Sequence, residues 1–359
     1  MKRAFNFNAG PAALPLPVLE EAQAEFLDFK GTGMSVLEIS HRSKEYDQLH
    51  NEVQESLRRL MEIPPDYRIL FLQGGASLQF AMVPQNLLSA EQTANYILTG
   101  VWSEKALAEA ERFGKVKVGA SSKEAGYSYI PSLEELKLEG DEAYLHLTTN
   151  NTIYGTQWRQ FPQTEEVPLI ADMSSDILSR PIDINQFSLI YAGAQKNLGP
   201  AGVTVVIAKE RLLQAKENLP TMLQYSTHAQ SNSLFNTPPT FAIYMLGKVL
   251  EWVEKSGGVK AIQSENQAKA EMLYATIDQS NGFYQGHARK ESRSVMNISF
   301  NLPSQELEGE FLQEAAAAGF VGLKGHRLVG GCRASIYNAV PLAACEALRD
   351  FMLAFKQKN

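Results

Sequence analysis

The sequence predicts an α/β fold: a large unit built on a mostly parallel sheet flanked by helices, followed by a smaller α+β unit. Three observations carry that expectation. Short apolar runs alternate with helical patterns through the middle of the chain, as strand–helix–strand units require. Five of those runs end in clusters of Gly, Ser, Thr, Asn, Asp or Lys. From residue 259 onward the order changes to helix, strand, helix, strand, helix. At 359 residues the chain is too long for one simple core. The expected division is 15–258 for the large unit and 259–359 for the small one, with 1–14 packing near the latter.

Taken in order, residues 68–72 (RILFL) precede QGGASLQF, and residues 95–98 (NYIL) precede TGVWSEKALAEA. Residues 144–147 (YLHL) precede TTNNTIYGT, residues 168–171 (PLIA) precede DMSSDILS, and residues 188–191 (SLIY) precede AGAQKNLG. A sixth run, 203–207 (VTVVI), carries no polar ending that points to chemistry and reads as structural. A long helix is expected from Pro238 through FAIYMLGKVLEWVEK, stopped by Gly257 and Gly258. A second helix covers 259–278, a strand 296–300, an Ala-rich helix 305–318, a strand 332–340 and a last helix 342–357. No internal repeat or low-complexity tract interrupts this pattern.

Composition narrows the function classes. Lys plus Arg is 33 against 40 Asp plus Glu, a net charge of −7, which argues against a broad nucleic-acid footprint. An anionic ligand must therefore be held by a local cluster of cations. The two cysteines, Cys332 and Cys345, form neither a disulfide framework nor a metal-binding pair, so no metal is expected. The N-terminal stretch MKRAFNFNAGPAALP lacks the apolar core of a signal sequence. No run of about 18 apolar residues exists. A cytoplasmic protein without a membrane span is the expectation.

Ligands of open α/β sheets bind beyond the carboxyl ends of the strands, so the five polar endings would meet in one crevice. Gly74-Gly75-Ala76-Ser77 joins a strand to an amphipathic helix. Its free N–H groups could hold a phosphate, or the turn could simply place Ser77 as an N-cap. Asp172 ends an apolar run and needs a partner, whether a metal, the following turn or a protonated ring nitrogen. Lys196 has no charged neighbour between Asp183 and Lys209, and its immediate surroundings are small: Gly193, Ala194, Gly199, Pro200 and Gly202. A lysine held out of water is a good nucleophile toward a carbonyl. Pyridoxal 5'-phosphate (PLP) needs a lysine for its aldehyde, a carboxylate for its ring nitrogen and N–H donors for its phosphate, and these three sites supply them. Trp102, just past another strand, offers a flat face to a ring.

The order GGAS, Trp102, Thr152, ADMSSD, GAQKNLGPAG resembles the phosphoserine aminotransferases, a branch of the class V PLP-dependent aminotransferases of fold type I. So do FNFNAGPAALP near the start, EISHRSKEYDQLH, NTPPTFAIY and KGHRLVGGCRASIYNAV. The likeness spans nearly the whole chain. It implies a seven-stranded sheet and one PLP per subunit, joined to Lys196 as a Schiff base. It further implies that Asp172 keeps the ring nitrogen protonated, that Trp102 stacks on the ring and that Thr152 bonds the ring hydroxyl oxygen. Ser174 and Gln195 would line the site, and Ala76 and Ser77 would bind the cofactor phosphate. Asn236 and Thr237 would reach that phosphate from a neighbouring subunit, which makes the protein a homodimer with shared sites. Thr237 before Pro238 is also a good N-cap and first-turn pair, and both roles can hold together.

The resemblance implies transfer of an amino group from L-glutamate to 3-phosphohydroxypyruvate, giving O-phospho-L-serine and 2-oxoglutarate. It leaves room for 4-phosphohydroxythreonine in pyridoxine biosynthesis. Both substrates carry two anionic groups, so the pocket needs two cationic poles. Arg333 would take the α-carboxylate, where a planar fork fits. His326 and Arg327, with His41 and Arg42 from the other subunit, would take the distal phosphate or carboxylate. Two of the six histidines directly precede an arginine, at these two places. The alternatives are an alanine–glyoxylate type aminotransferase, which would not need the second pole, a cysteine desulfurase, which would need a mobile cysteine, and a catalytically silent binding protein, which would lack the lysine.

Overall fold

The computed structural model describes residues 3–164 and 166–359. In chain order its elements are β1 (Phe5–Asn6), α1 (Leu16–Glu25), α2 (Lys44–Leu60), β2 (Tyr67–Leu72), α3 (Gly75–Leu87), β3 (Thr93–Leu98), α4 (Val101–Ala110) and β4 (Lys115–Ser121). There follow β5 (Tyr144–Thr148), β6 (Asn150–Asn151), β7 (Thr156–Gln157), β8 (Leu169–Asp172), β9 (Leu189–Gly193), β10 (Thr204–Lys209), the short α5 (Tyr225–Gln230), α6 (Thr240–Lys255) and α7 (Gly258–Asp278). The C-terminal part adds β11 (Gln285–Gly286), β12 (Asn297–Asn301), α8 (Gln305–Ala317), β13 (Phe320–Val321), β14 (Cys332–Ser335) and α9 (Leu342–Lys358).

The α/β expectation is borne out. Seven strands form the main sheet in the order β2-β10-β9-β8-β5-β3-β4. Only β10 runs antiparallel to its neighbours, and it is the run that reads as structural in the sequence. Strands β5, β8 and β9 are buried along their whole length, because helices cover both faces. The chain reverses its travel across the sheet between β3 and β5. That reversal opens a crevice at the carboxyl ends of the strands.

Helices α2 and α6 illustrate how the cover is built. Ser43 caps α2 by accepting the Tyr46 N–H at 3.2 Å, worth about 1 kcal/mol. Its buried stripe of Tyr46, Leu49, Val53 and Leu57 packs on α6. Gly247 permits the close approach, since a β-carbon there would lie 2.6 Å from a Val53 methyl.

A second core gathers Phe7 with residues between Ala270 and Phe355. Its sheet is β11-β12-β14. Helix α7 serves both cores: Val259 and Ile262 pack into the first, and Ala270, Leu273 and Ile277 into the second. The N-terminal segment joins the second core through parallel pairing of β1 with β13.

Three local expectations change. The long helix starts at Thr240 and not at Pro238, because Pro239 disfavours helical backbone at the residue before it. Thr237 is therefore not its N-cap. Ser77 is not an N-cap either: Gly74, at φ +87°, takes that place and Ser77 falls in the first turn of α3. The late strand stops at Ser335, short of Val340. Beyond it the carbonyls of Ile336, Tyr337 and Val340 all accept from the buried Lys269 amine, at 2.9 to 3.0 Å.

Candidate active site

The floor of the crevice lies at the ends of β8 and β9. Asp172 is 6% exposed, and its Oδ1 accepts the Ser174 N–H at 2.9 Å. The Ser174 hydroxyl in turn accepts the Gly193 N–H at 3.1 Å, which locks the two strand ends together. Asp172 thus caps the turn that follows β8. Burial pushes the Asp172 carboxyl up, and the nearby Lys196 charge opposes that shift.

Lys196 follows β9 in a tight turn. The residue is half-buried, with its amine inside the crevice 5.5 Å from the centre of the Trp102 ring. Burial holds the amine below its ordinary pKa, Asp172 works against this, and Arg333 adds to it. Two neighbours fix the turn. Gln195 accepts the Ala12 N–H at 2.9 Å through its carbonyl. Asn197 donates to the Ile177 carbonyl at 2.6 Å and accepts the Asn338 N–H at 3.0 Å. Gly10 lies against the lysine stem, where a β-carbon would come within 3.3 Å of the Lys196 Cγ.

Trp102 sits in the first turn of α4, and its indole N–H donates to the Thr152 hydroxyl oxygen at 3.1 Å. Thr152 therefore keeps its own O–H proton free to donate elsewhere. The Thr152 carbonyl accepts from Arg333 Nη1 at 2.9 Å. This is the only hydrogen bond of the Arg333 guanidinium among the described residues, and its buried Nε has no partner. Half of the fork is unspent, and burial lowers the group's pKa. Lys196, Asp172, Trp102, Thr152, Ser174, Gln195 and Arg333 are thus brought to one place.

The outer residues are arranged differently. His326 begins a turn in which its carbonyl accepts the Val329 and Gly330 N–H groups. Gly325 leaves no room for a β-carbon against the Gly330 carbonyl, so the loop closes tightly. His326 Nδ1 accepts the Leu328 N–H at 3.3 Å, which leaves the neutral ring's proton on Nε2, free to donate. Its pKa is lowered by partial burial and by Arg333, Arg327 and Lys105. Arg327 is exposed.

Ala76 and the exposed Ser77 lie in the first turn of α3, with no protein acceptor for the N–H groups of Gly75, Ala76 or Ser77 among the described residues. Asn236 and Thr237 sit beside this turn, where the Thr237 carbonyl accepts from Gln73 at 3.2 Å. His41 and Arg42 lie on the loop before α2. Among the described residues no hydrogen bond or ion pair joins either side chain to Lys196, Asp172 or Arg333.

These residues suit PLP. The carboxylate, the low-pKa amine, the flat indole, the free Thr152 proton and the open helix N-terminus match its ring nitrogen, aldehyde, face, hydroxyl and phosphate. Sequence reasoning missed Gly10, Asn197 and Lys105. The first two are visible only through tertiary contact. Lys105 could have been found by its position one helical turn beyond Trp102. Cys332 and Cys345 are both buried with raised thiol pKa values, unlike a mobile nucleophile. Among the described residues no cluster of His, Cys, Asp and Glu could hold a metal, and no helix is long and apolar enough to cross a membrane.

Comparison with known proteins agrees with the geometry. Residues 4–348 match the family described as Aminotransferase class-V. The chain is 64% identical over 359 residues to a phosphoserine aminotransferase of Geobacillus kaustophilus, covering 100% of this chain and 99% of that one. It is 59% identical to the phosphoserine aminotransferase of Bacillus subtilis, with complete coverage of both chains. The solved phosphoserine aminotransferase from Bacillus circulans subsp. alkalophilus superposes with a TM-score of 0.99 at 58% identity, covering 100% and 99% of the two chains. An alanine–glyoxylate aminotransferase from Nostoc, at 17% identity and a TM-score of 0.80, shares the fold alone. The chain belongs to the class-V aminotransferase family, and within it to the phosphoserine aminotransferases.

Proposed function

We propose that this protein uses PLP to transfer the amino group of L-glutamate to 3-phosphohydroxypyruvate, releasing 2-oxoglutarate and O-phospho-L-serine. The observation that carries this reading is Arg333. Its half-spent guanidinium is tied through Thr152 to the Trp102 ring over which Lys196 lies, so a carboxylate fork and a nucleophilic amine face the same space. When bound, the cofactor supplies the electron sink and carries the amino group between the two half-reactions.

Each residue then has a task. The Lys196 amine would hold the cofactor through its aldehyde, and the same amine, when free, would take the proton from the substrate α-carbon. Asp172 would keep the ring nitrogen protonated. Trp102 would support the ring, Thr152 would donate to the ring hydroxyl oxygen, and Gln195 would line the wall. Ala76 and Ser77 would hold the cofactor phosphate. Arg333 fixes the α-carboxylate, which aligns the α-proton with Lys196 Nζ. His326 and Arg327 receive the distal anion. An alanine–glyoxylate reaction would leave those cations without a use.

His41, Arg42, Asn236 and Thr237 are proposed to serve the site of a second copy, in a cytoplasmic homodimer. Mixing Lys196→Ala with Arg42→Ala subunits tests this. Shared sites predict recovered activity, because a hybrid dimer holds one intact site; no recovery above the Arg42→Ala level overturns sharing.

The reaction itself is tested on the holoenzyme by its absorbance spectrum. Glutamate should bleach the visible band, with one 2-oxoglutarate formed per site, and 3-phosphohydroxypyruvate should restore it with O-phosphoserine as product. Restoration by glyoxylate but not by the phosphorylated keto acid would sink the assignment.

A further inference from the structure

We propose that Lys105 is a specificity-determining residue: it supplies, from the same chain as Lys196, an additional positive charge for the substrate's distal anion. The inference rests on the substrate reading above and adds to it a residue outside the histidine–arginine pairs.

Position comes first. Lys105 follows Trp102 by three residues on α4, so both side chains share one helix face. Its amine lies 4.8 Å from the centre of the Trp102 ring, the same ring over which Lys196 stands at 5.5 Å. The exposed Lys105 and the reactive Lys196 thus share one aromatic neighbour.

Charge comes second. Glu104, the carboxylate next in sequence, is already taken: it pairs with Lys123 at 2.7 Å and accepts from the Tyr127 hydroxyl at 2.7 Å. Among the described residues Lys105 has no carboxylate partner within ion-pair distance. Lys105 also joins Arg333 and Arg327 in lowering the pKa of His326, and none of these three cations has an ion-pair partner among the described residues. Cations gathered around one opening without a counterion repel one another. A ligand carrying negative charge relieves that repulsion, and a dianionic phosphate relieves more of it than a single carboxylate does.

The test compares the first half-reaction of the holoenzyme with O-phosphoserine, glutamate and alanine, in the wild type, Lys105→Ala and Lys105→Arg. Lys105→Ala should raise the half-saturating concentration of O-phosphoserine by about fivefold, the upper end for one exposed charge contact. Glutamate should shift less and alanine not at all, and Lys105→Arg should recover most of the loss. The maximal rate and the cofactor's absorbance should stay close to wild type. An unchanged half-saturation for O-phosphoserine, or an equal shift for alanine, overturns the role. So does a changed cofactor spectrum with unchanged half-saturation, which would make Lys105 a support of Trp102 only. A wild type that reacts with alanine but not with O-phosphoserine overturns the substrate reading as well. A wild type that reacts with both, beside an unaltered Lys105→Ala, overturns the role of Lys105 alone.

Discussion

At the floor of the crevice, Asp172, Thr152 and Ser174 are each less than a tenth exposed and each bonded to a neighbouring strand or loop. At the mouth, Lys105 and Arg327 are exposed and have no ion-pair partner among the described residues. The difference fits the roles proposed for the two regions. Groups that move protons need fixed geometry and shifted pKa values, which only burial and bonding supply. Groups that recognise charge must meet two different anions, and unbonded side chains can adapt to both. Arg333 stands between, with one arm anchored on Thr152 and the rest of its fork free.

If that contrast is right, floor variants should damage kcat and mouth variants KM. Lys196→Ala should have the largest effect. Turnover should fall by at least about a thousandfold, the range of a lost general base and nucleophile, and the visible absorbance band should vanish. A steady-state assay with a spectrum of the reconstituted protein checks both. Asp172→Asn comes next, with kcat lower on the order of a hundredfold or more and KM little changed, since only transition-state charge is left unsupported. A change confined to KM would break the comparison.

Arg333→Ala should sharpen it. Loss of the charged fork should cost about 1.5–3 kcal/mol, a rise in glutamate KM of roughly tenfold to over a hundredfold. The same variant has a pH signature. Arg333 helps to hold the Lys196 amine at a low pKa, so its removal raises that pKa. The free amine then disappears at a higher pH, and the acid limb of PLP capture by the cofactor-free protein should move upward. Asp172→Asn removes a charge that favours the ammonium form, so its acid limb should move downward. Rates of cofactor capture against pH measure both signs. The smallest effect belongs to Arg327→Ala, about tenfold or less in KM for 3-phosphohydroxypyruvate, because solvent and neighbouring cations replace an exposed contact. A large fall in kcat there would place Arg327 with the floor.

Much of the floor was legible because apolar runs that end abruptly in Asp, Lys or Gly are costly unless a ligand or turn uses them. Asp172 and Lys196 stood out in this way, and the structure brings both to one crevice. Helix starts were less legible. Ser77 and Thr237 look like caps, yet the cap at α3 is set by the left-handed backbone of Gly74 and the start of α6 by a second proline. The end of β14 was not legible at all, since it depends on a lysine far away in sequence, Lys269, that takes the next carbonyls.

By itself the sequence determined the alternation of strands and helices, the chemistry available at each strand end and the family likeness, because these depend on side-chain type and local spacing. Only the tertiary structure decided that Thr152 keeps a proton to give, that Arg333 keeps half its fork, and that Gly10 lies against the stem of Lys196. Those properties belong to pairs of residues up to hundreds of positions apart. Hydrogen-bond saturation and charge compensation are fixed by which neighbours folding brings within a few ångströms, and no local pattern encodes them.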